Sequence, residues 1–167
     1  MAGHDETEQD DVLTTEDLEP VEEFLDGFLE KAEFEATITR RPLDGGVVEV
    51  AIEGDDLGPL IGPRGQTLAA LQELARTVLQ RQARGRAGRL VLDVGGYRQA
   101  RRQALEAFTR DVAAQVAESG VARVLEPMNA ADRKVIHDTC NTLDGVETHS
   151  EGEGVDRRVV IAQSPGN

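Results

Sequence analysis

A change of periodicity across one short segment constrains this chain most. Before it, Val48, Val50 and Ile52 alternate with other residues, the period of a half-buried strand. After it, Leu68, Leu71, Leu74 or Ala75, and Val78 or Leu79 recur at helical spacing. The segment itself reads Leu57-Gly58-Pro59-Leu60-Ile61-Gly62-Pro63-Arg64-Gly65-Gln66-Thr67-Leu68. Its two outer loop glycines, Gly62 and Gly65, let backbone approach a ligand without an intervening Cβ. The helix opening near Gln66 turns unpaired N–H groups and its positive dipole end back on the loop. Arg64 adds a mobile charge at the tip, so the arrangement suits a backbone anion such as a nucleic-acid phosphate.

A bare G-x-x-G carries little by itself, and the order of its surroundings makes it specific. Leu18, Val21, Leu25, Phe28 and Ala32 mark a helix from Pro20, suited to a first helical position, to about Ala32. Ala36, Ile38 and Arg40 alternate as a strand, Leu43-Asp44-Gly45-Gly46 turns the chain, and the Val48 to Ile52 strand returns. The helix after the loop runs to about Arg84 with a basic end (Arg81, Arg84, Arg86). Gly85 and Gly88 break it, and Arg89 to Val94 forms a third strand. With Ile61 to Leu68 in place, this α-β-β-α-α-β order resembles the type II KH domain, whose G-x-x-G loop clamps backbone nucleotides. The resemblance implies an RNA-binding loop of Ile61, Gly62, Pro63, Arg64 and Gly65, with bases lying in an apolar groove beside Ile61 and Leu68.

Charge is divided unevenly. The whole chain has a net charge of −14, yet residues 1–35 alone hold 14 acids against Lys31. Residues 64–110 carry ten arginines against Glu73, Asp93 and Glu106, a net of +7. Residues 1–17 are polar and aperiodic and are expected to be a disordered acidic tail, either solubilising or competing with nucleic acid for the basic segment. No apolar run approaches the roughly 20 residues of a membrane span, and the acidic N-terminus is unlike a secretory signal. A single cysteine, Cys140, suits a reducing cytoplasm.

Gly95-Gly96 marks a boundary, so the expected domains are 18–95 and 96–167. Tyr97 to about Glu118 is a helix with Leu105, Phe108, Val112 and Val116 inward, and Arg98, Arg101 and Arg102 in its first turn. Arginines there oppose the dipole, so a partner anion would help. Gly120 ends the helix, Val121 to Leu125 is a short strand, and Asn129 caps the next helix. On that helix Arg133 and His137 stand at i and i+4, beside the inward stripe of Ile136, Cys140 and Leu143. An ordered guanidinium next to an imidazole is a good phosphate or base-edge contact.

Pro127 to His137, then Glu147-Thr148-His149-Ser150-Glu151-Gly152-Glu153-Gly154 and Arg157-Arg158-Val159-Val160-Ile161, resemble the small single-stranded-nucleic-acid-binding domain named for its Arg-x-x-x-His motif. The resemblance implies contacts from Arg133, Lys134, His137, Arg157 and Arg158, the last two at the start of the return strand of a β-hairpin. A KH domain followed by this one is similar to the bacterial Jag (SpoIIIJ-associated, also KhpB/EloR) family over about residues 20–163. Many relatives begin with a folded Jag-N domain, where this sequence has only the acidic segment. Ala130-Ala131 departs from the proline and aromatic common in relatives.

The expected fold is therefore α+β, in two small domains: a type II KH unit, then helices packed on a small sheet ending in a hairpin. Catalytic residues, metal ligands and cofactors are not expected. Cys140 lies on an inward stripe, His149 lacks metal-ligand spacing to His137 or Cys140, and no P-loop is present. The expected activity is binding of single-stranded RNA or single-stranded DNA by a cytoplasmic regulator without membrane insertion. With four Phe, one Tyr and no Trp, an aromatic stacking platform is not expected. The family resemblance adds a small stand-alone KH protein as partner, a homodimer through the KH domain, and a role in cell elongation, division or envelope control. The alternative is a protein-interaction adaptor whose acidic tail docks on a basic partner.

Overall fold

The computed structural model describes residues 13–82 and 88–165. Residues 1–12 of the expected 1–17 tail, and the expected basic helix end with Arg84, Gly85 and Arg86, lie outside the described residues. The chain divides into two compact units, Met1–Arg98 and Gln99–Asn167.

The first helix, α1 (Thr15–Lys31), starts five residues before the expected Pro20. The cause is a capping box. The Thr14 hydroxyl accepts from the Asp17 amide, and the Asp17 carboxylate accepts from the Thr14 amide at 2.9 Å. Leu13 and Leu18, the positions just before the cap and one turn in, are both buried in the same core and act as a hydrophobic staple. Residues 13–17 are therefore part of the folded unit, and Pro20 sits inside the helix. The inward stripe is Leu18, Val21, Leu25 and Leu29; Phe28 is only half-buried, and Ala32 is the exposed C-cap.

Strands β1 (Ala36–Leu43) and β2 (Val47–Gly54) pair antiparallel from Ala36 with Gly54 to Leu43 with Val47. Gly45 and Gly46, both at positive φ, close the turn. After the short helix α2 (Gly58–Ile61), the loop and α3 (Gln66–Gln82), strand β3 (Arg89–Val94) lies parallel to β2, giving a sheet ordered β1-β2-β3. This is the α-β-β-α-α-β order expected from sequence. Of the alternatives left open on α3, Ala75 and Leu79 are the buried ones, while Leu74 is 51% exposed. The core lies between the sheet (Val50, Ile52, Leu92, Val94) and the inward faces of α1 and α3.

The second unit is built on α4 (Tyr97–Ser119), whose first two residues belong to the first unit. Its inward residues are Leu105, Thr109, Ala113 and Val116; Phe108, expected inside, is 47% exposed. The Thr109 hydroxyl is satisfied by the Leu105 carbonyl at 2.7 Å, which lets a polar residue occupy a core position. A strand follows only at β4 (Arg123–Val124). Helix α5 (Ala130–Cys140) opens where Asn129 Oδ1 accepts from the Asp132 amide at 2.9 Å. The hairpin β5 (Val146–Glu151) and β6 (Arg158–Gln163) completes an antiparallel sheet ordered β4-β6-β5. Among the described residues no helix is long and apolar enough to cross a membrane.

Candidate functional site

The first site is the loop between α2 and α3. Gly62 ends α2 at φ 70°, ψ 177°, a conformation open essentially to glycine alone. A Cβ there would also collide with the Thr67 hydroxyl. Pro63 to Gly65 make one 3-10 turn, with the Gly65 amide donating to the Gly62 carbonyl at 3.2 Å. Arg64 at the tip is left-handed (φ 53°, ψ 27°), an uncommon conformation for a residue with a side chain, and it is exposed beside exposed Pro63. Gly65 follows at φ 77°, with the Tyr97 ring against it. Helix α3 starts directly at Gln66, whose amide donates to the Pro63 carbonyl, so its positive dipole end faces the turn.

Leu68 is 2% exposed, and Ile61 is partly buried against the same core. A groove of about 660 Å³ opens between α3 and β3, lined by Gln72, Arg76, Leu79, Leu90, Val91 and Arg98 among others. Gln72 is its organising residue and carried no sequence signal. Its side-chain amide donates to the Leu90 carbonyl at 2.9 Å and accepts from the Leu92 amide at 2.7 Å, doing for the edge of β3 what another strand would do. Arg98 Nε donates to the Leu92 carbonyl at 2.8 Å, and the Arg98 amide donates to Asp93 at 3.1 Å. These contacts fasten Arg98 to the first compact unit, Met1–Arg98.

The other two arginines of that turn are also engaged. Arg101 donates to Asp132 at 3.0 and 3.2 Å, and Arg102 pairs with Glu106 at 2.9 Å. Arg101 and Arg102 thus find their counter-charges in the protein's own carboxylates, while the Arg98 guanidinium binds neutral oxygens of Leu92 and Gln72.

The second site joins α5 to β5. Residues of β5 alternate, with Thr148 and Ser150 half-buried on one face and Glu147, His149 and Glu151 exposed on the other. Arg133 Nη1 donates to Ser150 Oγ at 3.2 Å. His137 Nε2 lies 2.9 Å from the same hydroxyl, and Nδ1 lies 2.7 Å from Thr148 Oγ1. One ring nitrogen donates and the other accepts, so two hydroxyls satisfy a neutral imidazole completely. Burial pushes the His137 pKa below the ordinary imidazole value of 6.5, the Arg133 charge lowers it further, and Asp138 only partly opposes this. Arg133 Nε is buried and lacks a hydrogen-bond partner among the described residues. Sequence spacing found Arg133 and His137; Thr148 and Ser150 stand in the same motif, but no local signal marks their role.

The remaining predicted residues are placed differently. Lys134 is exposed and paired with Asp138 at 2.6 Å, one turn along the outer face of α5. Arg157 is exposed just before β6, and its carbonyl accepts from the Met128 amide at 3.1 Å. Arg158 begins β6 opposite Glu151, with Nε 3.7 Å from that carboxylate, an ion pair too long for a hydrogen bond. Cys140 is 2% exposed, and burial pushes its thiol pKa up, as for an inert core residue. Among the described residues, no three His, Cys, Asp or Glu side chains are grouped to hold a metal ion.

Residues 19–91 match the family model described as KhpA/KhpB, KH domain, and residues 103–163 match the model of the Arg-x-x-x-His domain. The chain is similar to curated proteins named RNA-binding protein KhpB. One from Clostridium symbiosum is 37% identical over 115 residues, 69% of this chain and 51% of the relative. Another from Bacillus subtilis is 37% identical over 117 residues, 69% of this chain and 56% of the relative. One from Streptococcus pneumoniae is 32% identical over 114 residues, 68% of this chain and 34% of the relative. The matched region thus spans from about a third to about half of these relatives' own length.

Proposed function

The chain belongs to the Jag/KhpB family, and from that premise we propose that it binds single-stranded RNA through two contacts, as a regulator rather than an enzyme. The observation that carries the reading is the backbone at 62–65. Gly62 and Gly65 at positive φ fold a tight turn onto the start of α3, with Arg64 exposed at its tip. A phosphate of the strand sits against that turn, where helix-start amides and a guanidinium favour negative charge. Arg133 and His137, held by Ser150 and Thr148, take a second stretch, and the second contact raises the effective concentration of the strand at the first. The names of the relatives, RNA-binding protein KhpB, support RNA as the ligand. The family resemblance is the sole support for a role in elongation, division or envelope control, for a small KH partner and for a KH-mediated dimer.

The test is fluorescence anisotropy with labelled single-stranded RNA, single-stranded DNA and duplex across a salt series. Wild type is compared with Arg64→Gln and with the Arg133→Ala/His137→Ala double variant. The expected result is preference for single strands, weakening with salt and further weakened by each change. Failure of wild type to bind, or equal binding by all three proteins, would replace this reading with the adaptor.

A further inference from the structure

We infer that Tyr97 is a base-stacking residue of the loop site, an inference that rests on the single-strand reading above. A Cβ added to Gly65 would lie 2.7 Å from Tyr97 Cε1, 3.2 Å from Oη and 3.3 Å from Cζ. The aromatic edge therefore lies directly against the second loop glycine, where the backbone of a bound strand would run. The second glycine is thus needed by the ring as well as by any ligand. No other tyrosine and no tryptophan occurs in the chain, so this contact places the one tyrosine at the loop read above as the phosphate contact.

The ring is held yet incompletely covered. Gly95 donates to the Ile52 carbonyl at 2.9 Å on one side, and the Arg98 amide and guanidinium bind Asp93 and Leu92 on the other. Tyr97 packs against the core of the first unit and is still only half-buried. A pre-positioned ring meets a base at little ordering cost, and base–aromatic stacking tolerates any base while favouring those that stack more strongly. A purine next to the clamped phosphate is the ligand group this position takes.

The test uses the full chain with labelled short oligoadenylate and oligouridylate, comparing wild type, Tyr97→Phe, Tyr97→Leu and Arg64→Gln. Tyr97→Phe should keep affinity and the preference for oligoadenylate. Tyr97→Leu should weaken oligoadenylate on the order of tenfold and level the preference, which a merely packing role would not do. In wild type, tyrosine emission should fall on saturation with oligoadenylate. Unchanged emission in the saturated complex, or Tyr97→Leu with affinity and preference intact, overturns the inference. If Arg64→Gln still weakens binding in that case, the single-strand reading survives. Wild type that binds neither oligonucleotide overturns both.

Discussion

Replacing Gly62 with alanine should be costly for a reason internal to the protein. The residue sits at φ 70°, ψ 177°, where a side chain costs on the order of 1–3 kcal/mol. The new Cβ also meets the Thr67 hydroxyl and approaches Thr67 Cβ at 2.9 Å. Moving that side chain off its rotamer adds about 1 kcal/mol. The sum is about 2–4 kcal/mol, survivable for a domain with an ordinary stability of roughly 5–15 kcal/mol. Urea unfolding followed through Tyr97 emission reports the first unit selectively, since no other tyrosine or tryptophan is present. Adding Thr67→Ala should restore at most about 1 kcal/mol of the loss, because it removes the hydroxyl while leaving the Cβ contact and the unfavourable backbone conformation. Gly62→Ala unfolding within about 0.5 kcal/mol of wild type would refute the reasoning. A consequence follows for binding experiments: Gly62→Asp deforms the loop as well as repelling phosphate, so Arg64→Gln is the cleaner probe of charge.

Arg64→Gln should weaken binding about equally across sequences and lower the slope of log affinity against log salt by about 1, measured by anisotropy titration. An unchanged slope would remove Arg64 from the phosphate contact. His137 has a folded pKa below its unfolded 6.5, so the unfolded chain binds more protons as the pH drops below 6.5. Stability of the second unit should therefore fall with acidification until the lower folded pKa is passed, and thermal melts of wild type against His137→Gln should show a shallower decline in the variant. A phosphate at the pair favours the imidazolium, so RNA affinity should rise over the same acid window wherever the fold persists. Gln72→Ala should cost about 1–3 kcal/mol, read by urea unfolding, because Leu90 and Leu92 lose their side-chain partners at the edge of β3.

Local chemistry made much of this molecule legible in the linear chain. Strict alternation from Val48 to Ile52 and helical spacing from Leu68 to Leu79 specify element type, because side-chain period is a local property of the backbone. The order of those elements and the glycines of 62–65 identified the loop, and the i, i+4 spacing of Arg133 and His137 identified the second pair. Local chemistry could also have located the true start of α1, since Thr14 and Asp17 stand at capping-box spacing and Leu13 and Leu18 at staple spacing. Which of two adjacent apolar residues turns inward was not decided locally. Ala75 is buried and Leu74 exposed, Thr109 buried and Phe108 exposed, because the neighbouring sheet determines the available volume. Residues far apart in sequence met only on folding: Gln72 against β3, Tyr97 against Gly65, and Thr148 and Ser150 around His137. Those contacts bridge 11 to 32 positions, a separation at which periodicity carries no information and only the packed sheet and helices determine proximity.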